Sequence, residues 1–250
     1  MSNKLYGRNV IMACQITGVY DVNRNEIIAD DDYASIEAWC KSIIDLDLSG
    51  IIFHNKYSQP FCKKYTNKHI QFVKIEYDAC FNPNVYRYMA YQKYLKTDNT
   101  ISNIFLTDIS DVIVLQNPFI SDYYKNNTTN IFCGDEPKIL NNDWMQDHST
   151  HLRNNIKDFA VYEQKFENAT LLNCGIIGGN IKVMKPFIAK LCHMHSTYNQ
   201  QNTTAYTGDM GAFNYLIRTQ YNEQVLHGHP INTVFKGYEK DRKDCWFRHK

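Results

Sequence analysis

The sequence predicts an α/β fold, a mostly parallel central sheet flanked by helices. Three observations lead to it. Short apolar runs alternate with stretches of helical spacing along the chain, the pattern of successive βαβ units. The 250 residues show no internal repeat and no Pro/Gly/Ser-rich linker that would divide them. That length suffices to bury a substantial core in a single domain.

The first strand is Asn9–Ile16, NVIMACQI, and a polar loop from Thr17 to Asp32 follows. Ile36, Trp39, Ile43 and Leu46 share one face of a helix over Asp32–Leu46, with Asp31 or Asp32 placed to cap it. Ser49–Phe53 is the second strand and ends at His54; Gln71–Ile75 is the third. Asn82-Pro83 signals the start of a helix over Asn84–Leu95. Ser102–Leu106 is the fourth strand, which runs through Asp108 and Asp111 into the apolar Val112–Leu115. Asn130–Cys133 is a further short strand, and Pro137 to Asn168 reads as loops plus one helix. Leu171–Ile177 is a strand ending in Gly178-Gly179, followed by helices over Ile181–Tyr198 and Asp209–Thr219. Val234–Phe235 and Trp246–Phe247 close the chain as short strands.

Composition excludes some functions. With 27 basic and 26 acidic residues the net charge is +1, so no global field draws in nucleic acid or anionic lipid. Any phosphate site must be local. Tyr86, Tyr88, Tyr91 and Tyr94 fall at helical spacing and read as core and rim aromatics, not as a base-stacking platform. The eight cysteines include no C-x-x-C pair and no short-spaced Cys/His cluster of the structural-zinc kind. Most sit in apolar runs, which predicts buried free thiols in a reducing compartment. The N-terminus lacks a signal-peptide layout, and no apolar run reaches roughly 18 residues. The expectation is a soluble, cytoplasmic protein without a transmembrane segment.

The sharpest feature is FLTDISDVIVLQNPF, where an apolar strand stops at two carboxylates, Asp108 and Asp111. Ligands of open α/β sheets collect at the carboxyl ends of strands. Carboxylates there can hold a hard divalent cation that neutralises a diphosphate. The same residues can also be plain turn formers, but they lie amid apolar sequence with no obvious helix to cap.

This stretch resembles the metal-binding DxD region of GT-A nucleotide-sugar glycosyltransferases, in a wider D-x-x-D form with Ser110 between the acids. Asn173-Cys174-Gly175-Ile176-Ile177-Gly178-Gly179 is similar to the N-x-G-x-x-G-G segment of that family, and Asp209 to Asn214 to its D-Q-x-x-x-N helix start. The resemblance follows the chain in order, and it implies a single Rossmann-like GT-A domain over 1–250. Residues 1–115 would form its nucleotide-binding part and 116–250 its acceptor and sugar part.

It further implies that Gln15, Ile16 and Thr17 receive base and ribose, with His54 nearby. Arg87 would approach the donor phosphates, suited by its bidentate guanidinium. Asp108, Ser110, Gly178 and Lys250 would also contact the donor. Asp108 and Asp111, with a C-terminal histidine, would hold Mn²⁺ or Mg²⁺. His249 fits that role best, ahead of His227 and His229. Asp209 and Asn173 would act at the reacting sugar. A general base, were the reaction inverting, would be sought among Asp135, Glu136 and Asp143; the motif order leans toward retention.

The implied activity is transfer of a sugar from a nucleoside-diphosphate sugar, UDP-linked by preference, to a glycan, protein or small-molecule acceptor. The alternatives are a catalytically silent carbohydrate- or nucleotide-binding relative and a nucleotidyltransferase. The second would need a Gly-rich basic loop after the first strand, and Thr17–Asp32 has one glycine and one arginine. A metal-dependent phosphohydrolase would need more paired His/Asp motifs at strand ends.

Overall fold

The computed structural model describes residues 7–21, 26–199 and 208–250. In chain order its strands are β1 (Arg8–Gln15), β2 (Tyr20–Asp21), β3 (Glu26–Ile27), β4 (Gly50–His54), β5 (Ile70–Lys74), β6 (Ile101–Thr107), β7 (Val112–Val114), β8 (Ile131–Ile139), β9 (Thr170–Asn180), β10 (Val225–His227) and β11 (Phe247–His249). Its helices are α1 (Ala34–Asp45), α2 (Gln59–Tyr65), α3 (Pro83–Thr97), α4 (Asp122–Lys125), α5 (Asp143–His148), α6 (Thr150–Asn155), α7 (Phe159–Lys165), α8 (Ile181–Tyr198) and α9 (Asp209–Gln220).

Seven strands form one sheet in the order β10-β8-β9-β6-β1-β4-β5. β1 pairs in parallel with β4 and β6, β4 with β5, and β10 with β8. Only β9 runs antiparallel to its neighbours, β6 and β8. The sheet is therefore mostly parallel and draws strands from both halves of the chain.

The apolar run of β1 has a simple cause. Its side chains alternate between faces: Val10 and Met12 enter one buried cluster, Ile11 and Ala13 the other. Both faces are covered, so both must be apolar. One layer holds Tyr88 and Tyr91 of α3 with residues of α8 and α9. The other holds Ile36, Trp39 and Ile43 of α1 with Trp246 and Phe247 at the chain's end. Helix starts follow local chemistry. Asn82 accepts from Asn84 N (2.9 Å) with Pro83 in the first helical position, and Asn180 accepts from Lys182 N (3.0 Å).

Several elements differ from the sequence expectation. The short strand at Asn130–Cys133 continues to Ile139 as β8, and the segment after it holds three short helices rather than one. β9 absorbs Gly178 and Gly179 and reaches Asn180, so no glycine turn ends it. Val234–Phe235 forms no strand: Asn232 makes an isolated bridge to Phe247 instead, and Val234 is exposed. α2 and β10 were not read from the sequence at all. All eight cysteines are free. No helix among the described residues is long and apolar enough to cross a membrane.

Two buried histidines outside the candidate site give the fold a pH dependence. His195 of α8 accepts from Asn199 Nδ2 (2.8 Å) and stacks on Tyr88. Burial, helped by the Arg87 charge, pushes its pKa down to about 3. Burial and Lys74 push His54 down to about 4. Both lie below the ordinary histidine value, so the native state favours neutral rings. Their contribution is complete above about pH 6.5 and is lost as pH falls toward 4, because the unfolded chain takes up protons the native state refuses. By pH 5 the loss is on the order of 1–2 kcal/mol per histidine. Melting temperature measured from pH 7 to 5 is expected to fall, and less steeply for His195→Asn.

Candidate active site

Strand β6 delivers the central acids. Its last residue, Thr107, is buried and accepts from Trp39 Nε1 at 2.9 Å, which fixes the strand end against α1. The chain then leaves the sheet at Asp108, whose N–H donates to Gly175 O of β9 (2.8 Å). Ile109 returns to the core, so the 108–111 turn is anchored in its middle. β7 follows at once and pairs antiparallel with β11, placing His249 opposite Val112. Lys250 N donates to Asp111 O at 2.9 Å. This register, between segments distant in sequence, carries His249 to the acids.

Around them lies a cleft of about 810 Å³ at the C-terminal edge of the parallel strands. Of the residues the sequence nominates, Gln15, Ile16, Arg87, Asp108, Ser110, Asp111, Asn173, Asp209, His249 and Lys250 line it. Because β9 is antiparallel, its early residues Asn173–Gly175 reach this edge. The start of α9 brings Asp209, following Gly208 in the left-handed region (φ 63°).

The polar contacts converge. Arg87, 8% exposed, hydrogen-bonds Asp108 Oδ1 through Nη1. Its Nη2 lies 3.2 Å from the Tyr88 hydroxyl, 3.4 Å from Cys174 O and 3.9 Å from Asp209 Oδ2. His249 Nε2 lies 3.8 Å from Asp108 Oδ2. Burial pushes the His249 pKa down to about 4, against the pull of Asp108, so the ring is neutral near pH 7 and able to ligate. Among the described residues, the buried Gln15 Nε2, Arg87 Nε and His249 Nδ1 of the cleft lining find no hydrogen-bond partner. Buried polar atoms without partners are rare in proteins; these sit in the cleft lining, while others, such as Tyr57 Oη and Arg218 Nε, lie elsewhere in the fold.

Gly175 makes room for this arrangement. A Cβ there would stand 2.5 Å from His249 Cε1, 2.6 Å from Asp108 Oδ2 and 2.9 Å from Asn173 Oδ1. As a cation set, Asp108 and His249 face each other at a distance suited to two ligands of one ion. Asp111 lines the same cleft, but the three do not bring donor atoms all within 4.8 Å of one another.

Three nominated residues are not brought to the cleft. Thr17 is fully buried: its hydroxyl bonds Asp30, and its N–H donates to Asn55 Oδ1 at 2.9 Å. His54 is covered by α2; it stacks on Tyr57, accepts from Tyr57 N at 3.2 Å, and meets Cys62 Sγ at 3.5 Å. Gly178 lies within the sheet, where a Cβ would stand 2.2 Å from Phe105 Cδ1. The alternative histidines also turn elsewhere. His227 pairs with Asp135 (2.9 Å) and His229 with Asp244 (3.1 Å).

Among the acids considered as a base, Glu136 alone lines the cleft. Burial pushes its pKa up, opposed by a hydrogen bond from Asn173 Nδ2 at 2.8 Å. Sequence reasoning missed Asn82, Asn84, Trp144, Lys236 and Tyr238 in the lining. The Asn-Pro helix start was one available signal: helix α3 begins at the strand ends, so its first turn faces the cleft.

The architecture is the GT-A glycosyltransferase fold, built on a mostly parallel seven-stranded sheet. Two crystal structures of the galactosyltransferase LgtC share it. One is a complex with donor and acceptor sugar analogs, with a TM-score of 0.55 at 14% identity, covering 96% of this chain and 86% of that one. The other is an active-site mutant of LgtC, with a TM-score of 0.53 at the same identity and coverage. No protein-family model and no curated protein sequence matches the chain.

Proposed function

We propose that this protein is a glycosyltransferase that takes a sugar from a nucleoside-diphosphate sugar, UDP-linked by preference, with the help of Mn²⁺ or Mg²⁺. The observation that carries the reading is the meeting of Asp108, Arg87, Asp209 and His249 at one cleft in a GT-A fold. Asp108, Asp111 and His249 would hold the cation; two carboxylates and a neutral imidazole suit a divalent ion of this class. When bound, it supplies Lewis-acid neutralisation of the departing diphosphate.

The chain's own residues do the rest. Arg87 offers a planar guanidinium to phosphate oxygens, and its buried position means no solvent shell must be stripped on binding. Lys250, beside Asp111, adds a second positive charge on the same side. Gln15 and Ile16 receive base and ribose; Gln15 Nε2, without a partner among the described residues, supports that role. Asp209 accepts from sugar hydroxyls at the start of α9. Asn173 holds Glu136 through a hydrogen bond from its Nδ2, and burial pushes the Glu136 pKa up, the direction that suits a general base. Residues 1–115 would serve mainly the nucleotide and 116–250 the sugar and acceptor, with His249 and Lys250 reaching back to the diphosphate. The charge that develops on the sugar ring is oxocarbenium-like, and the order of the motifs along the chain leans toward retention.

Thermal unfolding tests this reading. Nucleoside diphosphates with Mn²⁺ are expected to stabilise the protein by about 2.7 kcal/mol at a hundredfold excess over the dissociation constant. The shift should require both ligands together. No shift with any nucleotide or nucleotide-sugar would rule the reading out. Stabilisation without turnover would identify a silent nucleotide-binding relative.

A further inference from the structure

We propose a second cation site, separate from the cleft, in which His229, Asp244 and Cys245 bind a borderline-soft divalent ion of the zinc class. Among the described residues these three bring one donor atom each to within 4.8 Å of one another. His229 Nε2 lies 3.1 Å from Asp244 Oδ2, and Cys245 Sγ lies 3.9 Å from Asp244 Oδ1. Tetrahedral zinc ligands, each about 2.0–2.3 Å from the ion, stand roughly 3.3–3.8 Å apart. Imidazole, thiolate and carboxylate are the groups such an ion selects over Mg²⁺ or Ca²⁺.

The surroundings support a ligating role. Arg242 Nε donates to Asp244 Oδ1 at 2.8 Å, leaving Oδ2 directed to His229. Carboxylates that ligate metals are commonly held through their other oxygen in this way. Arg242 is itself steadied by Glu239. Cys245 is fully buried, its thiol donating to Asn232 O at 3.3 Å, so the sulfur is fixed in place. On ligation that thiol proton leaves to solvent and the sulfur–metal bond forms without any redox change. His229 and Asp244 are exposed, which opens a path for entry and a fourth position for water.

The ligands tie two strips that already run together. Trp246 N donates to Pro230 O at 2.7 Å and Phe247 N to Ile231 O at 3.0 Å. A cation here would staple the base of β11, the strand that presents His249, without entering the cleft. Local spacing hides the site, because its ligands come from both sides of the 230–243 excursion.

Protein stripped with a chelator and titrated with Zn²⁺ against a chromophoric competitor is the test, with Co²⁺ as a spectroscopic substitute. One equivalent should bind without nucleotide, and the Co²⁺ form should show a thiolate-to-metal charge-transfer band. His229→Ala should weaken binding about tenfold or more, and Cys245→Ser should remove the band. Asp111→Asn should change neither, which separates this site from the cleft cation. His229 is exposed, so its variant should fold even if Cys245→Ser does not. Absence of the band, or binding unchanged by His229→Ala, would overturn the proposal.

Discussion

Asp108→Asn is expected to lower donor turnover by about a thousandfold while leaving the protein folded. The carboxylate faces Arg87 through one oxygen and His249 through the other. Removing its charge weakens a cation ligand and turns the Arg87 ion pair into a neutral hydrogen bond. Loss of one preorganised electrostatic contact at a reacting centre costs about 10²–10³ in rate, and here two are weakened together. Asparagine keeps an oxygen for Arg87, so the buried guanidinium remains bonded. Asp108→Ala leaves that charge with only Tyr88, Cys174 and the more distant Asp209, and should also destabilise the fold, by about 3 kcal/mol. Steady-state kinetics and thermal melts of both variants check this. Turnover within fivefold of wild type for Asp108→Asn would contradict it.

The second large effect separates two glycines that look alike in sequence. Gly175→Ala should lose about a hundredfold in activity with little change in melting temperature. Its new methyl group meets the ends of His249, Asp108 and Asn173, which can give way but only by leaving their positions in the site. Displacement of about 1 Å at a reacting centre is worth roughly 10² in rate. Gly178→Ala should instead lose about 3 kcal/mol of stability. There the methyl group meets the Phe105 ring at 2.2 Å and Ile104 O at 2.6 Å, a ring and a backbone that cannot shift without opening β6 from β9. Equal behaviour of the two variants would show that Gly175 has no special tie to the site.

The contrast also shows what was legible in the sequence. Local patterns were read well: the apolar run of β1, the helix at Ile181–Tyr198, the Asn-Pro start of α3, and the two acids at the end of β6. Each rests on near neighbours. What depended on long-range pairing was not. Antiparallel β9 sits between β6 and β8, so the stretch from Gly175 to Gly179 is strand; its first glycine faces the site and Gly178 faces Phe105. His54 reads as a strand-end residue near a ligand only while α2 is overlooked; that helix supplies the Cys62 that meets its ring. Thr17 looked like a nucleotide contact because it follows the first strand, but its hydroxyl and N–H are taken by Asp30 and Asn55. His249 was preferred over His227 and His229 by resemblance alone; what carries it to the cleft is the β7–β11 register, which no local pattern encodes.

The central claim is that acids leaving a buried strand act with a cation on a diphosphate. Release of nucleoside diphosphate from a panel of nucleotide-sugars tests it most directly, measured with and without Mn²⁺ for wild type and Asp111→Asn. The account predicts release by the wild type that requires the cation and falls at least a hundredfold in the variant. Release that proceeds equally without cation, or that survives in Asp111→Asn, would contradict it.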